Sequence, residues 1–271
     1  MKLRVVEAEY EEPYYNLAVE EAIPLTVAEG KVPATLRFWR NKNAVEIGRF
    51  QCPELEVNLK LAAEKGVRVV RRFTGGGAVY HDLGNINYAL SIPSGQNPDM
   101  RKYFQLVGDS VSAGLNELAG PGFAYAPLND IVYKDNKVSG LAASVGDGYI
   151  FVHGALLASV DLDLLSSILN PPPEKFEGKA IRSVAKRVIN ISEIAGRRVS
   201  FEEIKAALTD GFKQVMGLEP YDAELTEEEL KLAQKLYEEK YSTLDWSMGS
   251  LTLCPTTDEE RELIRKVSLG R

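Results

Sequence analysis

Three consecutive glycines, Gly75, Gly76 and Gly77, follow the paired arginines Arg71 and Arg72 and run into Ala78, Val79, Tyr80, His81 and Asp82, in the stretch RRFTGGGAVYHDLGN. Glycine lets a backbone turn its N–H groups inward and approach a ligand without Cβ obstruction, so such a run suits an anion. The two arginines end a strand-like segment, where neighbouring side chains point to opposite faces. Only one of them can therefore join the glycine amides around a phosphate-sized group. Neither familiar phosphate motif is present: no Gly-Lys-Ser/Thr follows the glycines, and the spacing is not G-x-G-x-x-G opening a helix. A turn or bulge is the commoner use of glycines between strands, and the run alone does not identify a nucleotide.

Other residues able to do chemistry are few. Lys137, in DNKVSG, follows a tight turn at Lys134, Asp135 and Asn136, where most lysines are simply solvated. The two histidines, His81 and His153, lack metal-ligand spacing. Cys52 and Cys254 make neither a disulfide framework nor a paired metal motif, and Cys52 reads as an ordinary half-buried thiol.

The surrounding chain is that of an ordinary globular protein: 271 residues, 45% hydrophobic and 26% charged. A net charge of −7 argues against bulk nucleic-acid binding. The sign is uneven, because Lys60, Lys65, Arg68, Arg71 and Arg72 lead into the glycines while residues 222–239 are mostly acidic. A basic approach on an acidic protein points to a small anionic ligand. With no signal-peptide pattern at MKLRVVEAEYEEP and no long apolar run, no membrane association is expected and the cytoplasm is the default location.

The elements that must position these groups follow from periodicity. Residues 16–28 read as a helix that Pro24 would kink or end. TLRFWR (35–40), AVEIG (44–48) and VRVVR (67–71) read as strands, with a helix over 54–65 stopping at Gly66. AVYH and INYALSI flank a turn at Asp82 to Asn85, and Tyr103 to Leu118 has helical spacing. IVY (131–133), KVSGLAAS (137–144), residues 149–160 and RVINI (187–191) read as strands, and NPPPEKFEGK (170–179) as a binding loop. Ser200 with Glu203, and Thr226 with Glu229, are capping boxes opening helices to Met216 and to about Tyr241; a last helix spans 257–267. The mixture has no βαβ rhythm, so the expected class is α+β.

RRFTGGGAVYHDLGNINYAL resembles the signature of the lipoate–protein ligases, part of a larger family with the biotin–protein ligases and octanoyltransferases. PYYNLAVEEA (13–22), AVEIGRFQ (44–51), NDIVYKDNKVSG (129–140), VHGALL (152–157) and SVAKRVINI (183–191) are similar to family segments, in family order. The resemblance implies a biotin/lipoate ligase-like fold, a mixed and largely antiparallel sheet with packed helices. It also implies ATP-dependent activation of lipoate to lipoyl-AMP and transfer to a lysine of a lipoyl carrier domain, of the 2-oxoacid dehydrogenase E2 or glycine-cleavage H-protein type.

Residue by residue, Lys137 matches the essential lysine, and Arg72 the arginine that touches the nucleotide. Gly77, Ala78, Val79 and Tyr80 match the phosphate-binding backbone, while Gly75 and Gly76 would shape the lipoyl tunnel. Arg71 would lie at the surface or behind the site. His81 and His153 are candidate contacts, and Asp130 is a candidate for nucleotide or metal contact. Magnesium would arrive with ATP, and the 170–179 loop would order over the adenylate. DWSMGSLTL resembles the approach to an additional C-terminal domain of longer ligases. The expectation is a catalytic domain over residues 1–246 and a short extension over 247–271, with a separate accessory protein serving the adenylating step.

Three competing readings remain. An octanoyl or lipoyl transferase needs a thioester-forming cysteine, and GFAYAPLNDIVY (122–133) has none. Biotin ligases carry a differently built loop. A non-catalytic lipoate-binding homologue would lack the glycines, Arg72 or Lys137, all of which are present.

Overall fold

The computed structural model describes residues 1–95, 97–170, 188–249, 254 and 256–269. The strands are β1 (Lys2–Glu7), β2 (Thr35–Trp39), β3 (Asn43–Ile47), β4 (Arg68–Arg71), β5 (Val79–Asp82), β6 (Asn85–Pro93), β7 (Phe123–Ala126), β8 (Asp130–Tyr133), β9 (Asn136–Gly146), β10 (Tyr149–Leu157) and β11 (Glu219–Asp222). They form a larger mixed sheet in the order β11-β1-β2-β6-β10-β9-β8-β7 and a smaller one in the order β4-β3-β5. Pairing is parallel from β11 through β1 to β2 and between β3 and β4, and antiparallel elsewhere. The α+β class and its largely antiparallel sheet are as expected.

Alternation along β6 and β10 divides the molecule. Ile86, Tyr88, Leu90, Ile150, Val152 and Leu156 face a core shared with the helices α4 (Met100–Ala119) and α7 (Phe201–Met216). Each helix brings an apolar stripe at helical spacing, Val107, Val111 and Leu115 from one and Ile204, Leu208 and Phe212 from the other. The interleaved residues Asn87, Ala89, Phe151, His153 and Ala155 are thereby turned to the opposite face. The glycine segment and the small sheet stand on that side.

The small sheet has its own core, in which Val45, Ile47, Val69 and Tyr80 pack with Leu157, Leu165 and Ile168. Ile264 and Val267 of the helix Asp258–Leu269 complete it. The remaining helices are α2 (Pro53–Glu56), α3 (Leu59–Lys65), α5 (Leu162–Ile168), α6 (Ile191–Ala195), α8 (Glu227–Leu236) and α9 (Leu244–Met248); the Asp258–Leu269 helix is α10.

Four local expectations change. The first helix, α1 (Pro13–Ala28), runs through Pro24 unbroken. Its Leu17, Ala18, Val19, Ala22, Ile23 and Val27 are all buried, and packing of this kind outweighs the lost i→i−4 bond. The 54–65 helix is two pieces, α2 and α3, separated by extended Val57. The expected strand at 187–191 is, in its described part, an isolated bridge of Val188 to Lys137 followed by α6. Asn190 causes the break: its side chain accepts from Val160 N at 2.8 Å and donates to Val160 O at 3.0 Å. Finally, Cys52 and Cys254 are joined in a disulfide, not free thiols. Folding brings together residues 202 apart in sequence, a proximity no local motif encodes. Residues 171–179 of the NPPPEKFEGK loop, 183–187 of SVAKRVINI and 250–253 of DWSMGSLTL lie outside the described residues.

Candidate active site

The glycine segment connects β4 to β5 and is held from beneath by the turn after β3. Arg49 N donates to Thr74 O at 2.8 Å. A Cβ on Gly48 would fall 2.2 Å from Gly76 O, so the two backbones touch only because residue 48 is glycine. Gly76 adopts φ +94°, the left-handed region that favours glycine.

The two arginines diverge as strand alternation requires. Arg72 reaches the site, and its donors are spent on the loop and on β3. Nε donates to Thr74 Oγ1 at 3.0 Å, Nη1 to Glu46 O at 3.1 Å, and Nη2 to Gly75 O at 2.7 Å and Gly77 O at 2.9 Å. Arg72 is thus a staple of the glycine loop as well as a wall of the cavity. Arg71 is not a surface residue. It is 1% exposed and donates to the carbonyls of Gly48, Arg49, Gln51, Trp246 and Ser247, joining the β3 turn to α9. Burial lowers its guanidinium pKa to about 10, still cationic at neutral pH.

A cavity of about 120 Å³ opens between the two sheets, lined by Arg72, Gly76, Gly77, Ala78, Val79, His81, Lys137 and His153. Glu46, Asn87 and Asn129 also line it. An adjoining, more apolar cavity of about 290 Å³ is lined by Ala78, Val79, Asp130, Lys137, Gly140, Leu165 and Leu169. Lys137, Ala78 and Val79 belong to both. The lysine is carried on β9, where its Nζ lies 2.7 Å from Asp130 Oδ1 on β8.

The remaining polar groups tie the floor together. His81 Nδ1 lies 3.2 Å from Glu46 Oε1, which also accepts from Asn41 Nδ2 at 2.9 Å. Burial pushes the Glu46 carboxyl up, but the His81 imidazole and Arg72 outweigh it and hold it below the ordinary carboxylate range. His153 Nε2 is 2.8 Å from Thr74 Oγ1, and its Nδ1 is 3.4 Å from Glu20 Oε1. His153 therefore links α1 to the glycine loop. Asp82 and Asn85 are turn residues as expected: the Asp82 carboxylate accepts from Gly84 N and Asp161 N, and Asn85 accepts from Asp82 N.

Of the residues singled out in sequence, Arg72, Gly76, Gly77, Ala78, Val79, His81, Asp130, Lys137 and His153 converge on the two cavities. Gly75 and Tyr80 line neither. Gly75 contributes its carbonyl to Arg72, and the Tyr80 ring packs in the small-sheet core, where burial raises its phenol to about 12. Sequence reasoning passed over Glu46, Asn87 and Asn129. A signal existed for the first two: a polar side chain in the middle of an otherwise apolar strand, in AVEIG and INYALSI, needs a buried partner. Among the described residues, the group able to hold a metal is Cys52, Glu54 and Cys254, which lines neither of these cavities, and its two sulfurs are bonded to each other.

Comparison with known proteins identifies the family. Residues 12–213 match the family model described as lipoyl protein ligase A/B catalytic domain. Lipoate-protein ligase A subunit 1 of Thermoplasma acidophilum is 37% identical over 245 residues, 87% of this chain and 92% of the relative. Octanoyltransferase LipM of Brevibacillus brevis is 33% identical, over 90% of this chain and 98% of the relative. Among solved structures, a bi-partite lipoate protein ligase of T. acidophilum, studied with its E2 lipoyl domain, superposes with TM-score 0.83 at 34% identity, over 92% of this chain and 97% of that one. A lipoate-protein ligase A bound with ATP gives TM-score 0.81 at 32% identity, over 92% and 99%. With the family model spanning most of the chain and the glycine loop facing Lys137, the chain belongs to the lipoyl protein ligase A/B catalytic domain family.

Proposed function

We propose that this chain is an ATP-dependent lipoate–protein ligase. The observation that carries the reading is the position of Lys137, on the wall common to two cavities and opposite the backbone of Ala78 and Val79. One substrate group fits each cavity, and the atoms that react meet at the lysine. In the first step a lipoate carboxylate oxygen bonds to the α-phosphorus of ATP, and the bond to pyrophosphate breaks. The ammonium of Lys137 stabilises negative charge shared between carboxylate and phosphate, and glycine-loop amides take the phosphate oxygens. In the second step a carrier lysine amine bonds to the acyl carbon, AMP leaves and the amine proton is lost. Holding the two partners in line is most of the protein's task.

Roles follow for the other groups. Arg72, Gly75, Gly76 and Gly77 hold the loop in its binding shape, and His81 and His153 support the floor. Magnesium would accompany ATP, since Mg²⁺ keeps phosphate and water ligands and needs few carboxylates; Asp130 is the residue that would hold it. The substrate partner is a lipoyl carrier domain. Residues 1–246 are read as the catalytic domain and 247–271 as a short extension. A separate accessory protein serves the adenylating step, a reading supported by the relative named as subunit 1 and by the bi-partite neighbour. Among the described residues no helix is long and apolar enough to cross a membrane, and we place the protein in the cytoplasm, where ATP and carrier enzymes meet.

A transferase reading has the LipM relative in its favour. It requires a thiol at the reacting carbon, and the two cysteines of this chain are joined to each other and line neither of the two cavities. The test is mass spectrometry of a lipoyl carrier domain incubated with the chain, in one arm with lipoate and Mg-ATP and in the other with synthetic lipoyl-AMP. Modification in both arms denotes a self-sufficient ligase. Modification from lipoyl-AMP alone denotes a ligase awaiting its accessory protein. Modification in neither arm overturns the reading.

A further inference from the structure

We propose that the β7–β8 turn, through the side chain of Leu128, is the surface on which the lysine-bearing carrier domain docks; the proposal rests on the ligase reading above. Leu128 is 87% exposed, more than any other large apolar side chain among the described residues. A single exposed leucine is unremarkable on most surfaces. This one is distinguished by its place and by how firmly it is held there.

Its place is the rim of the reaction site. The next residue, Asn129, lines the polar cavity, and the one after it, Asp130, lines the apolar cavity and pairs with Lys137. Its support is a set of hydrogen bonds on both sides. Tyr125 Oη donates to Leu128 O at 2.7 Å. Asn129 is fastened to β9 twice, with Leu141 N donating to Asn129 O at 2.7 Å and Asn129 Nδ2 donating to Leu141 O at 2.7 Å. The turn is therefore a fixed feature of the sheet edge.

Geometry then selects the occupant. A lysine side chain spans only about 6 Å from Cα to Nζ. For its amine to reach an acyl carbon beside Lys137, the carrier backbone must come down onto the rim of the cavities. A rim residue as prominent as Leu128 is covered in that complex. The carrier that fits is a folded domain with an apolar patch beside its modified lysine, and burial of the leucine against that patch supplies affinity without touching the reacting atoms.

The test compares the wild-type chain with Leu128→Ser and Leu128→Met in acyl transfer from synthetic lipoyl-AMP to a carrier domain. Leu128→Ser raises the carrier KM about tenfold, while the rate at saturating carrier and the calorimetric affinity for lipoyl-AMP stay at wild-type values. Leu128→Met restores the KM. An unaltered KM in Leu128→Ser, or a lower saturating rate with an unaltered KM, overturns the docking surface alone. A wild-type chain that binds lipoyl-AMP and transfers nothing overturns the ligase reading, and the docking surface with it.

Discussion

Lys137 Nζ and Asp130 Oδ1 lie 2.7 Å apart across the β8–β9 pair, with each side chain about 40% exposed. A pair so open to water is worth at most about 1 kcal/mol. It holds the ammonium at the junction of the two cavities and gives it up readily to a better anionic partner. Lys137→Ala should therefore leave the melting temperature within about 2 °C of wild type while lowering adenylation more than about 100-fold. Pyrophosphate release measures this, with the accessory protein present if the chain requires it. A near-normal rate would remove Lys137 from its role.

Arg72 presents a different case, because its donors end on the loop it shapes. Lysine cannot reproduce that planar fork. Arg72→Lys should raise the KM for ATP about tenfold through a loosened glycine loop, with a smaller change in the saturating rate. If the rate at saturation falls and the KM is unchanged, Arg72 acts on the transition state and not through the loop.

At Gly48 the prediction is steric. A methyl group there meets the Gly76 carbonyl at 2.2 Å, and backbone has no rotamer by which to retreat. Gly48→Ala should cost about 1–3 kcal/mol, lowering the melting temperature by about 2–5 °C and abolishing lipoyl-AMP binding. Calorimetry showing wild-type affinity would mean that the two backbones can separate without loss of the site.

Glu229 supplies a pH dependence. Burial pushes its carboxyl up, but hydrogen bonds and charge from Arg4, together with Thr226, hold it below the ordinary range. A depressed folded-state pKa contributes stability that is present above the unfolded value of about 4.3 and is lost as pH falls through the folded value. Glu229→Gln should cost about 3 kcal/mol at pH 7, with the deficit shrinking below about pH 4. Guanidinium unfolding at the two pH values decides it; a deficit independent of pH would assign the loss to packing.

The Cys52–Cys254 disulfide joins residues 202 apart, so on loop-closure entropy opening it should cost about 5 kcal/mol and lower the melting temperature. Disulfides are uncommon in reducing cytosol except in hyperthermophiles. Thiol titration of native, unreduced protein should find no free sulfhydryl. Two titratable thiols would show that the bond does not form.

Much of the fold could be read from local pattern. Alternation in TLRFWR and INYALSI, helical spacing from Tyr103 to Leu118 and the capping boxes at Ser200 and Thr226 each depend on neighbours a few residues away, and all appear as expected. β1, β7 and β11 were passed over. β7 and β11 are four residues long and end the large sheet, while β1 lies inside it between β11 and β2. It is pairing that makes them strands, as when β11 lies beside β1 some two hundred residues earlier in the chain.

The site divides in the same way. Residue types and order singled out the glycine loop and Lys137, and the resemblance of those motifs named the family, because each motif is written in one contiguous stretch. Tertiary structure decided that Arg71 is buried between the β3 turn and α9, that Glu46 holds His81, and that Cys52 meets Cys254. Each of those outcomes requires side chains from separate elements to meet, and only the packing of the small sheet against the large one sets those distances.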